Sequence, residues 1–427
     1  MQQLRKVAIV GGARIPFVRS FTHYNQDSNQ DMLTTTIRAL VDRFALRGER
    51  LGEVACGAVI KHPADWNLAR ESLLGAGLDP RTPGFDIVRA CGTSLEATIQ
   101  IANKIALGQI ESGIAGGSDS NSDLPLVLKK KMAQTMIQLG RAKSLGKKVS
   151  SLMNVRPKDF VPVMPAVVEP RTGLSMGQHC ELMAQEWQIP REEQDELAYQ
   201  SHMTGIEAYR SGFYEDLVVE FRGLRRDTIL RADTTQEQLA KLKPAFERSA
   251  KGTLTAGNST ALTDGASAVF LCSEDYARKH DLPIQAYFVD AQAYGVDFVG
   301  GEGLLMAPTL AVAEMLKRQN MKLQDFAFYE IHEAFAAQVL CTLKAWESND
   351  YCRDKMGLGE ALGTIDRKRM NVRGGSVALG HPFGATGARL VATLGKILAQ
   401  SDQPGARGLI SVCTGGGMGV AAILEKA

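Results

Sequence analysis

Apolar runs alternate along this chain with stretches of helical periodicity. The segments 6–17, 112–120 and 408–417 each combine a short apolar run with paired or tripled glycines, which predicts buried strands running into tight turns. Residues 94–108 and 387–400 place apolar side chains three and four positions apart, which predicts amphipathic helices. Strands that alternate with helices of this length indicate the α/β class.

Two of these units resemble each other and suggest an internal duplication. Cys91-Gly-Thr opens a helix that leads to one glycine-ended strand, and His381-Pro-Phe-Gly opens a helix that leads to another. Two similar halves that face each other would bring Cys91, His381 and Cys413 toward one site. The general likeness of all strand-helix-strand units explains the pattern equally well.

The segment between these units differs in composition and predicts an inserted domain. Residues 124–158 carry nine basic residues and no acidic one. Within them four apolar residues share one helical face and predict a basic amphipathic helix: Leu128, Met132, Met136 and Leu139. We therefore predict a loop domain over 122–258, inserted in an N-terminal half of 1–121 and 259–282, with a C-terminal half over 283–427.

Composition narrows the class of protein and its compartment. The net charge of +2 over 427 residues gives no global reason to expect a nucleic-acid partner. Seven cysteines, an odd number without CxxC spacing, argue against a disulfide framework and favour a reducing cytoplasm. The N-terminal apolar run ends early in two glycines, and no later run reaches about 18 residues, so we expect neither signal peptide nor membrane span.

Two cysteines stand out as candidates for chemistry. Cys91 precedes Gly-Thr-Ser at a predicted helix start, where free N–H groups and the helix dipole would lower its pKa. Cys413 lies at a strand end before three glycines; it is either a buried strand residue or a proton donor beside a closely approaching ligand. The other five fit the commoner role of small buried hydrophobes: Cys56, Cys180, Cys272, Cys341 and Cys352.

Two histidines occupy turns in which active-site residues are common. His381, between glycine and proline, is the best candidate to take a proton from Cys91. His332, in FYEIHEAFAAQ, lies between an apolar strand and a predicted helix. HEAF lacks the second histidine of the HExxH zinc motif, so we reject a metallopeptidase and predict no metal site.

Five segments in order resemble the thiolase family over nearly the whole chain: CGTSLEA, LTAGNSTALTDGAS, HEAF, GGSVALGHPFGATGAR and CTGGG. HEAF in place of the commoner NEAF, together with the basic loop, is similar to thiolase subunits of trifunctional fatty-acid oxidation complexes. The resemblance implies a five-layered αβαβα core and at least a dimer, as a homodimer or a dimer of dimers. It also implies acyl-CoA and coenzyme A as substrates, with no tightly bound cofactor.

The resemblance also implies a role for each candidate residue. Cys91 would attack the 3-keto carbon of a 3-ketoacyl-CoA, His381 would activate that thiol, and Cys413 would protonate the departing acetyl-CoA carbanion. The backbone N–H groups of Cys91 and Gly415 would stabilise one oxyanion. His381 and a water held by His332 would stabilise the other.

The thiolase resemblance also implies contacts to coenzyme A at four positions: Met176, Arg231, Ala256 and Thr260. Ser175 stands where many short-chain thiolases have a histidine, so their pantetheine contacts do not transfer directly. A core methionine and a solvated arginine are the simpler roles for Met176 and Arg231.

Several functions fit this resemblance. We favour a degradative 3-ketoacyl-CoA thiolase of fatty-acid β-oxidation, with acetoacetyl-CoA synthesis by an acetyl-CoA acetyltransferase as the alternative. A 3-ketoacyl synthase would use two histidines without Cys413, and a non-catalytic lipid carrier would not need the three reactive residues. The basic loop 124–158 is a solvated helix, attracts coenzyme A phosphates, or docks on an anionic membrane or on an α subunit with hydratase and dehydrogenase activities.

Overall fold

A computed structural model describes residues 4–153 and 155–427 of the chain. Its strands form one mixed sheet in the order β4-β3-β5-β6-β1-β7-β10-β9-β8, with β2 paired to β6. The strands are β1 Val7–Arg14, β2 Val18–Arg19, β3 Glu53–Cys56, β4 Gly84–Asp86, β5 Ser112–Asp119, β6 Thr263–Ser273, β7 Ala286–Gly295, β8 Phe328–Ile331, β9 Arg407–Thr414 and β10 Met418–Lys426.

The pairing senses repeat on the two sides of the sheet. On one side β3 and β5 are parallel, and β5, β6 and β1 follow as antiparallel neighbours. On the other side β8 and β9 are parallel, and β9, β10 and β7 follow as antiparallel neighbours. The antiparallel pairing of β1 with β7 joins the two sets. The duplication suggested by the sequence thus reappears as a repeated topology, while the domain boundaries stay a prediction.

The helices pack against the strands, and two of them form a central layer. They are α1 Asn29–Arg43, α2 Leu68–Ala76, α3 Thr93–Ala106, α4 Lys130–Arg141, α5 Leu145–Leu152, α6 Met176–Glu186, α7 Arg191–Arg210, α8 Gln236–Ala240, α9 Glu274–Lys279, α10 Ala307–Gln319, α11 Ala336–Glu347, α12 Asn349–Met356, α13 Ser376–Leu379 and α14 Thr386–Gln400. The helices predicted over 94–108 and 387–400 are confirmed as α3 and α14.

The central layer is the pair α3 and α14. They pack against each other, and α14 also contacts strands from both sets. A Cβ on Gly387 would lie 2.2 Å from the Leu95 backbone nitrogen, so only glycine permits this approach of the two helices. Leu95, Ile101 and Leu390 of these two helices are buried in one hydrophobic cluster, and each such side chain contributes about 2 kcal/mol of hydrophobic stabilisation. This layer places the first residues of both helices next to each other.

The segment between β5 and β6 contains the predicted basic helix. That helix forms as α4, but it begins at Lys130, so Leu128 of the predicted face lies before it. Of that face only Met132 is buried, and Met136 is half exposed. The following helix α5 contacts α4 and buries none of its residues. Neighbouring apolar side chains are also exposed: Leu126, Val127, Ile137, Leu145, Phe160 and Val167. Within residues 4–153 and 155–427, no helix has the length and apolar character needed to cross a bilayer.

Candidate active site

A tight turn before α3 presents Cys91. Ala90 lies in the left-handed region with φ of 43°, a conformation that costs a non-glycine residue about 1 kcal/mol or more. The Thr93 hydroxyl holds this turn: it donates to the Ala90 carbonyl at 2.7 Å and accepts from the Arg89 N–H at 2.9 Å. The Gly-Thr-Ser sequence after the cysteine therefore serves the turn as well as the helix start.

The two histidine turns converge on Cys91. The Cys91 sulfur and one ring nitrogen from each of His332 and His381 all lie within 4.8 Å of one another. The centroids of the two imidazole rings are 4.1 Å apart. His332 follows β8, and its backbone N–H donates to the Ser411 carbonyl at 2.8 Å. The His381 backbone N–H donates to the Thr263 hydroxyl at 2.8 Å. Sheet and turn together fix both rings beside the thiol.

The Nδ1 atoms of both rings have hydroxyl partners, while the Nε2 atoms are buried without one. His381 Nδ1 lies 2.5 Å from Thr386 Oγ1, and His332 Nδ1 lies 2.8 Å from Ser376 Oγ. Neither Nε2 has a hydrogen-bond partner in the described chain. Two polar atoms buried without partners indicate a site built for another molecule.

Cys413 and the glycine turn complete the cluster. Cys413 is fully buried in β9, and the end of that strand packs against the start of α3. Burial, with a smaller contribution from the neighbouring Cys91, raises the pKa of Cys413 well above its usual value. The backbone N–H of Gly415 acts on the Cys91 thiol in the direction that lowers its pKa, against the effect of burial. The structure thus brings all four predicted side chains and the Gly415 backbone to one place.

Burial, rather than the helix start, determines the charge of the site. The expectation of a lowered thiol pKa at Cys91 is wrong: burial raises that pKa to about 12, and the Gly415 N–H offsets only part of the shift. Burial, with Arg389 second, lowers the pKa of His381 to about 3. Burial likewise lowers the pKa of His332 well below its usual value. At neutral pH the resting site therefore holds an un-ionised thiol and two neutral imidazoles.

Asp119, which the sequence did not single out, connects the end of β5 to two other backbone segments around the site. Its carboxylate accepts hydrogen bonds from the N–H groups of Val59 at 3.0 Å, Ile60 at 2.7 Å and Gly384 at 2.6 Å. Burial raises its pKa to about 7, and the three N–H donors oppose that shift. Gly384 belongs to the turn after His381, so Asp119 fixes the position of the histidine segment relative to β5.

Glu169 is a second residue that sequence reasoning missed. Its Oε1 accepts the Gly416 N–H at 2.9 Å, and its own N–H donates to the Leu174 carbonyl at 2.9 Å. It therefore connects the segment between β5 and β6 to the glycine turn that follows Cys413. No motif indicates such a contact, because the two residues are 247 positions apart in the chain.

The four predicted coenzyme A positions differ in their surroundings. Met176 opens α6, and its sulfur lies 3.8 Å from where a Cβ on Gly415 would be, at the edge of the site. Thr260 donates from both its N–H and its hydroxyl to the Ala334 carbonyl, at 3.1 Å each, beside the HEAF segment. Ala256 and Arg231 are exposed. Ser175 caps α6 through a reciprocal pair of hydrogen bonds with Gln178.

Comparisons with known proteins identify the family. The model of the thiolase N-terminal domain matches residues 7–275, and that of the thiolase C-terminal domain matches residues 282–426. The chain belongs to the thiolase family. The family prediction and the α/β fold class are thereby confirmed.

Proteins named as thiolases or as an acetyl-CoA acetyltransferase match the chain over nearly its full length. It is 40% identical to proteins named 3-ketoacyl-CoA thiolase from Shewanella sediminis, covering 98% of this chain and 97% of that protein, and from Pectobacterium carotovorum, covering 98% and 96%. The Bacillus anthracis acetyl-CoA acetyltransferase superposes with a TM-score of 0.81 at 29% identity, covering both chains completely. A thiolase from Ascaris suum in complex with coenzyme A gives 0.81 at 25% identity, covering 99% and 100%.

Proposed function

We propose that this thiolase cleaves 3-ketoacyl-CoA with free coenzyme A, giving acetyl-CoA and an acyl-CoA shortened by two carbons. The observation that carries the proposal is the buried convergence of Cys91, His332 and His381 within 4.8 Å, beside Cys413. The full-length relatives named 3-ketoacyl-CoA thiolase support the substrate class. Two thiols and an imidazole are what this reaction needs, because one thiol attacks carbon while the other exchanges a proton with a carbon acid.

The first half-reaction transfers the acyl group to the enzyme. His381 Nε2 takes the Cys91 thiol proton as the sulfur attacks C3, and the 3-oxygen becomes an oxyanion. The C2–C3 bond then breaks, leaving an acyl-Cys91 thioester and the acetyl-CoA carbanion. Cys413 gives its proton to that carbanion, and acetyl-CoA departs.

The second half-reaction releases the acyl group to coenzyme A. The Cys413 thiolate takes the proton of the incoming CoA thiol, which attacks the acyl-Cys91 carbonyl. The Cys91 sulfur leaves and recovers its proton from His381. In our assignment the Cys91 and Gly415 N–H groups stabilise one oxyanion, and His381 with a His332-held water stabilises the other.

Coenzyme A is a substrate in this account, and we place it against four residues. Met176 lies at the edge of the site beside Gly415, and Thr260 lies beside the HEAF segment, so both suit contacts to the pantetheine arm. Ala256 and the exposed Arg231 are assigned to the nucleotide end, where a guanidinium suits phosphate. Arg231→Ala is expected to raise the KM for coenzyme A without changing kcat.

A chain-length series tests the proposal. We expect the wild-type protein with coenzyme A to consume 3-ketoacyl-CoA from acetoacetyl to 3-ketohexadecanoyl chains, and Cys91→Ala to consume none. Turnover of acetoacetyl-CoA alone would instead favour the alternative, an acetyl-CoA acetyltransferase, which the likeness to the Bacillus anthracis enzyme supports. Absence of any turnover would overturn both and favour a carrier without catalysis.

For the exposed apolar and basic segment 124–158 we propose docking on an anionic membrane or on an α subunit carrying hydratase and dehydrogenase activities. Nine basic residues and exposed Leu126, Ile137 and Leu145 support this role. Cosedimentation with anionic vesicles is expected at low salt and is expected to weaken at high salt. If neither vesicles nor a co-purified subunit bind, the segment is only a solvated helical pair.

We place the enzyme in the cytoplasm, in fatty-acid β-oxidation, and as a homodimer or a dimer of dimers. The seven free, buried cysteines support a reducing compartment. Sedimentation equilibrium of the purified chain tests the assembly state; a monomer at micromolar concentration would contradict it.

A further inference from the structure

His332 is the innermost member of a buried chain of polar groups. Its Nδ1 lies 2.8 Å from Ser376 Oγ, and the Arg389 guanidinium donates through Nη2 to the same oxygen at 2.8 Å. All three side chains are at most 1% exposed. In the described chain, these are the two hydrogen-bond partners of the Ser376 hydroxyl.

The donors and acceptors in this chain can be assigned by counting protons. A guanidinium only donates, so the Ser376 oxygen must accept from Arg389. The hydroxyl proton of Ser376 then has one remaining partner, the Nδ1 lone pair of His332. The reverse arrangement, with a proton on Nδ1, would leave the serine proton buried without an acceptor, at a cost of about 1–3 kcal/mol.

The imidazole of His332 is neutral, because burial, followed by the nearby His381 and Arg389, lowers its pKa well below the usual value. A neutral ring with an accepting Nδ1 carries its one proton on Nε2. That Nε2 is the buried atom without a partner. One ring nitrogen of His332 lies in the cluster with the Cys91 sulfur, and because Nδ1 is already bonded to Ser376, Nε2 is the nitrogen left for a substrate oxygen.

We propose that Ser376 and Arg389 are positioning residues that hold His332 as the Nε2–H tautomer, so that the ring donates a hydrogen bond into the site. This inference rests on the proposed function for its catalytic meaning: the N–H orients a water or an oxyanion. The assigned role of His381 as a base requires the opposite tautomer, with Nδ1–H donating to Thr386. His332 and His381 are neighbours in space, and they thus have opposite tautomers and roles. The difference arises because the Ser376 hydroxyl, the partner of His332, also accepts a hydrogen bond from Arg389.

The proton on Nε2 of His332 also affects whether this cluster can bind a metal ion. Cys91, His332 and His381 are close enough for one ion to contact all three. A metal binds the lone pair of a neutral imidazole, and the Nε2 of His332 has none while Ser376 donates to Nδ1. In this tautomer His332 cannot serve as a metal ligand through Nε2, which leaves at most Cys91 and His381 of the three for an ion.

Nitrogen NMR of the whole protein, labelled with ¹⁵N-histidine, tests the tautomer directly. Long-range ¹H–¹⁵N correlations distinguish Nε2–H from Nδ1–H, and His332→Asn identifies the signal. The wild type is expected to show His332 wholly as Nε2–H. Ser376→Ala, which removes the hydroxyl proton, is expected to show a mixture, whereas Arg389→Lys keeps a donor-only partner and is expected to retain Nε2–H.

Kinetics supplies the second readout. Ser376→Ala is expected to lower kcat about 10- to 100-fold with little change in KM, since removing one oxyanion donor outright costs about 100- to 1000-fold. Ser72→Ala is the matched control, because Ser72 is also fully buried and its hydroxyl has no partner in the described chain. It is expected to leave kcat unchanged at a similar melting temperature.

Two results would overturn the inference. One is a wild-type His332 with its proton on Nδ1. The other is an unchanged tautomer in Ser376→Ala. Both are measured without substrate, so they separate this inference from the proposed function, which fails instead if the wild type turns over no 3-ketoacyl-CoA.

Discussion

At the scale of single residues, the site combines reactive groups with an environment that keeps them un-ionised. Burial of Cys91 outweighs the helix start, because removing a thiolate from water costs more than a few backbone N–H groups restore. In the proposed mechanism, proton transfer to His381 therefore accompanies attack on the substrate rather than preceding it. This arrangement protects the thiol from reaction in the absence of substrate.

The reactivity of Cys91 should consequently depend on pH in a defined direction. Because burial raises its pKa to about 12, the thiolate fraction grows about tenfold per pH unit below that value. We expect the rate of iodoacetamide labelling at Cys91 to rise steadily from pH 6 to pH 9, as about 1000-fold more thiolate forms. Mass spectrometry, with Cys91→Ser as the unlabelled control, measures it. A plateau near neutral pH would reveal a resting thiolate–imidazolium pair instead.

The sequence indicates the reactive residues better than the residues that orient them. Cys91, His381 and Cys413 are found from their glycine-rich neighbours, because those neighbours form the turns that present them. His332 is found from its place between an apolar strand and a helix start. Asp119 gives no comparable signal, since its three partners lie in segments that meet only in the folded chain. The pKa direction at Cys91 was wrong for the same reason: depth of burial is a tertiary property.

At the scale of elements, Asp119 ties the end of β5 to the turn that carries His381. Asp119→Asn replaces one accepting oxygen with an amide donor, so at least one of the three backbone N–H groups loses its acceptor. We expect a loss of about 1–3 kcal/mol in the free energy of unfolding, and a larger loss for Asp119→Ala. Activity is expected to fall with each, because Gly384 in the histidine turn loses its anchor.

Denaturant titration and thiolysis assays on the same preparations measure both effects. Asp354→Asn is the control: it alters an exposed ion pair with Arg353, and such pairs contribute at most about 1 kcal/mol. An Asp119→Asn variant as stable and as active as that control would show that Asp119 does not anchor the turn.

The sequence predicts helix α4, but it predicts neither α5 nor the surroundings of the pair. Periodicity over 128–139 predicts a helix, which the structure places at 130–141, and the same pattern fits a face buried in the core, on a partner or on a membrane. In the structure the chain enters and leaves the pair side by side, because Val127 and Val163 exchange backbone hydrogen bonds. The pair can therefore be removed without stretching the chain.

Replacing residues 129–161 with a short Gly-Ser linker tests the independence of this pair. We expect cooperative melting at nearly the wild-type temperature and retained cleavage of acetoacetyl-CoA, because α5 buries none of its residues and α4 buries only Met132 and Thr135. Vesicle binding at low salt is expected to disappear. Calorimetry and cosedimentation report the two effects separately, and an unfolded product would show that the pair belongs to the core.

At the scale of the whole molecule, a repeated topology explains why the site lies where it does. Each strand set contributes a glycine-ended strand and a helix start, and α3 and α14 meet in the central layer. Cys91 comes from one set, and His381 with Cys413 from the other. The sequence alone could not decide between duplication and ordinary α/β likeness, because strand order depends on pairing between residues far apart in the chain.

The central claim is that Cys91 carries the acyl group between two coenzyme A thiols. Mass spectrometry of the intact protein, mixed with 3-ketodecanoyl-CoA in the absence of free coenzyme A, tests it most directly. We predict one octanoyl adduct per chain, mapped to Cys91 by digestion, one acetyl-CoA released for each adduct, and loss of the adduct when coenzyme A is added. An adduct on another residue, or acetyl-CoA released without any adduct, would contradict the account.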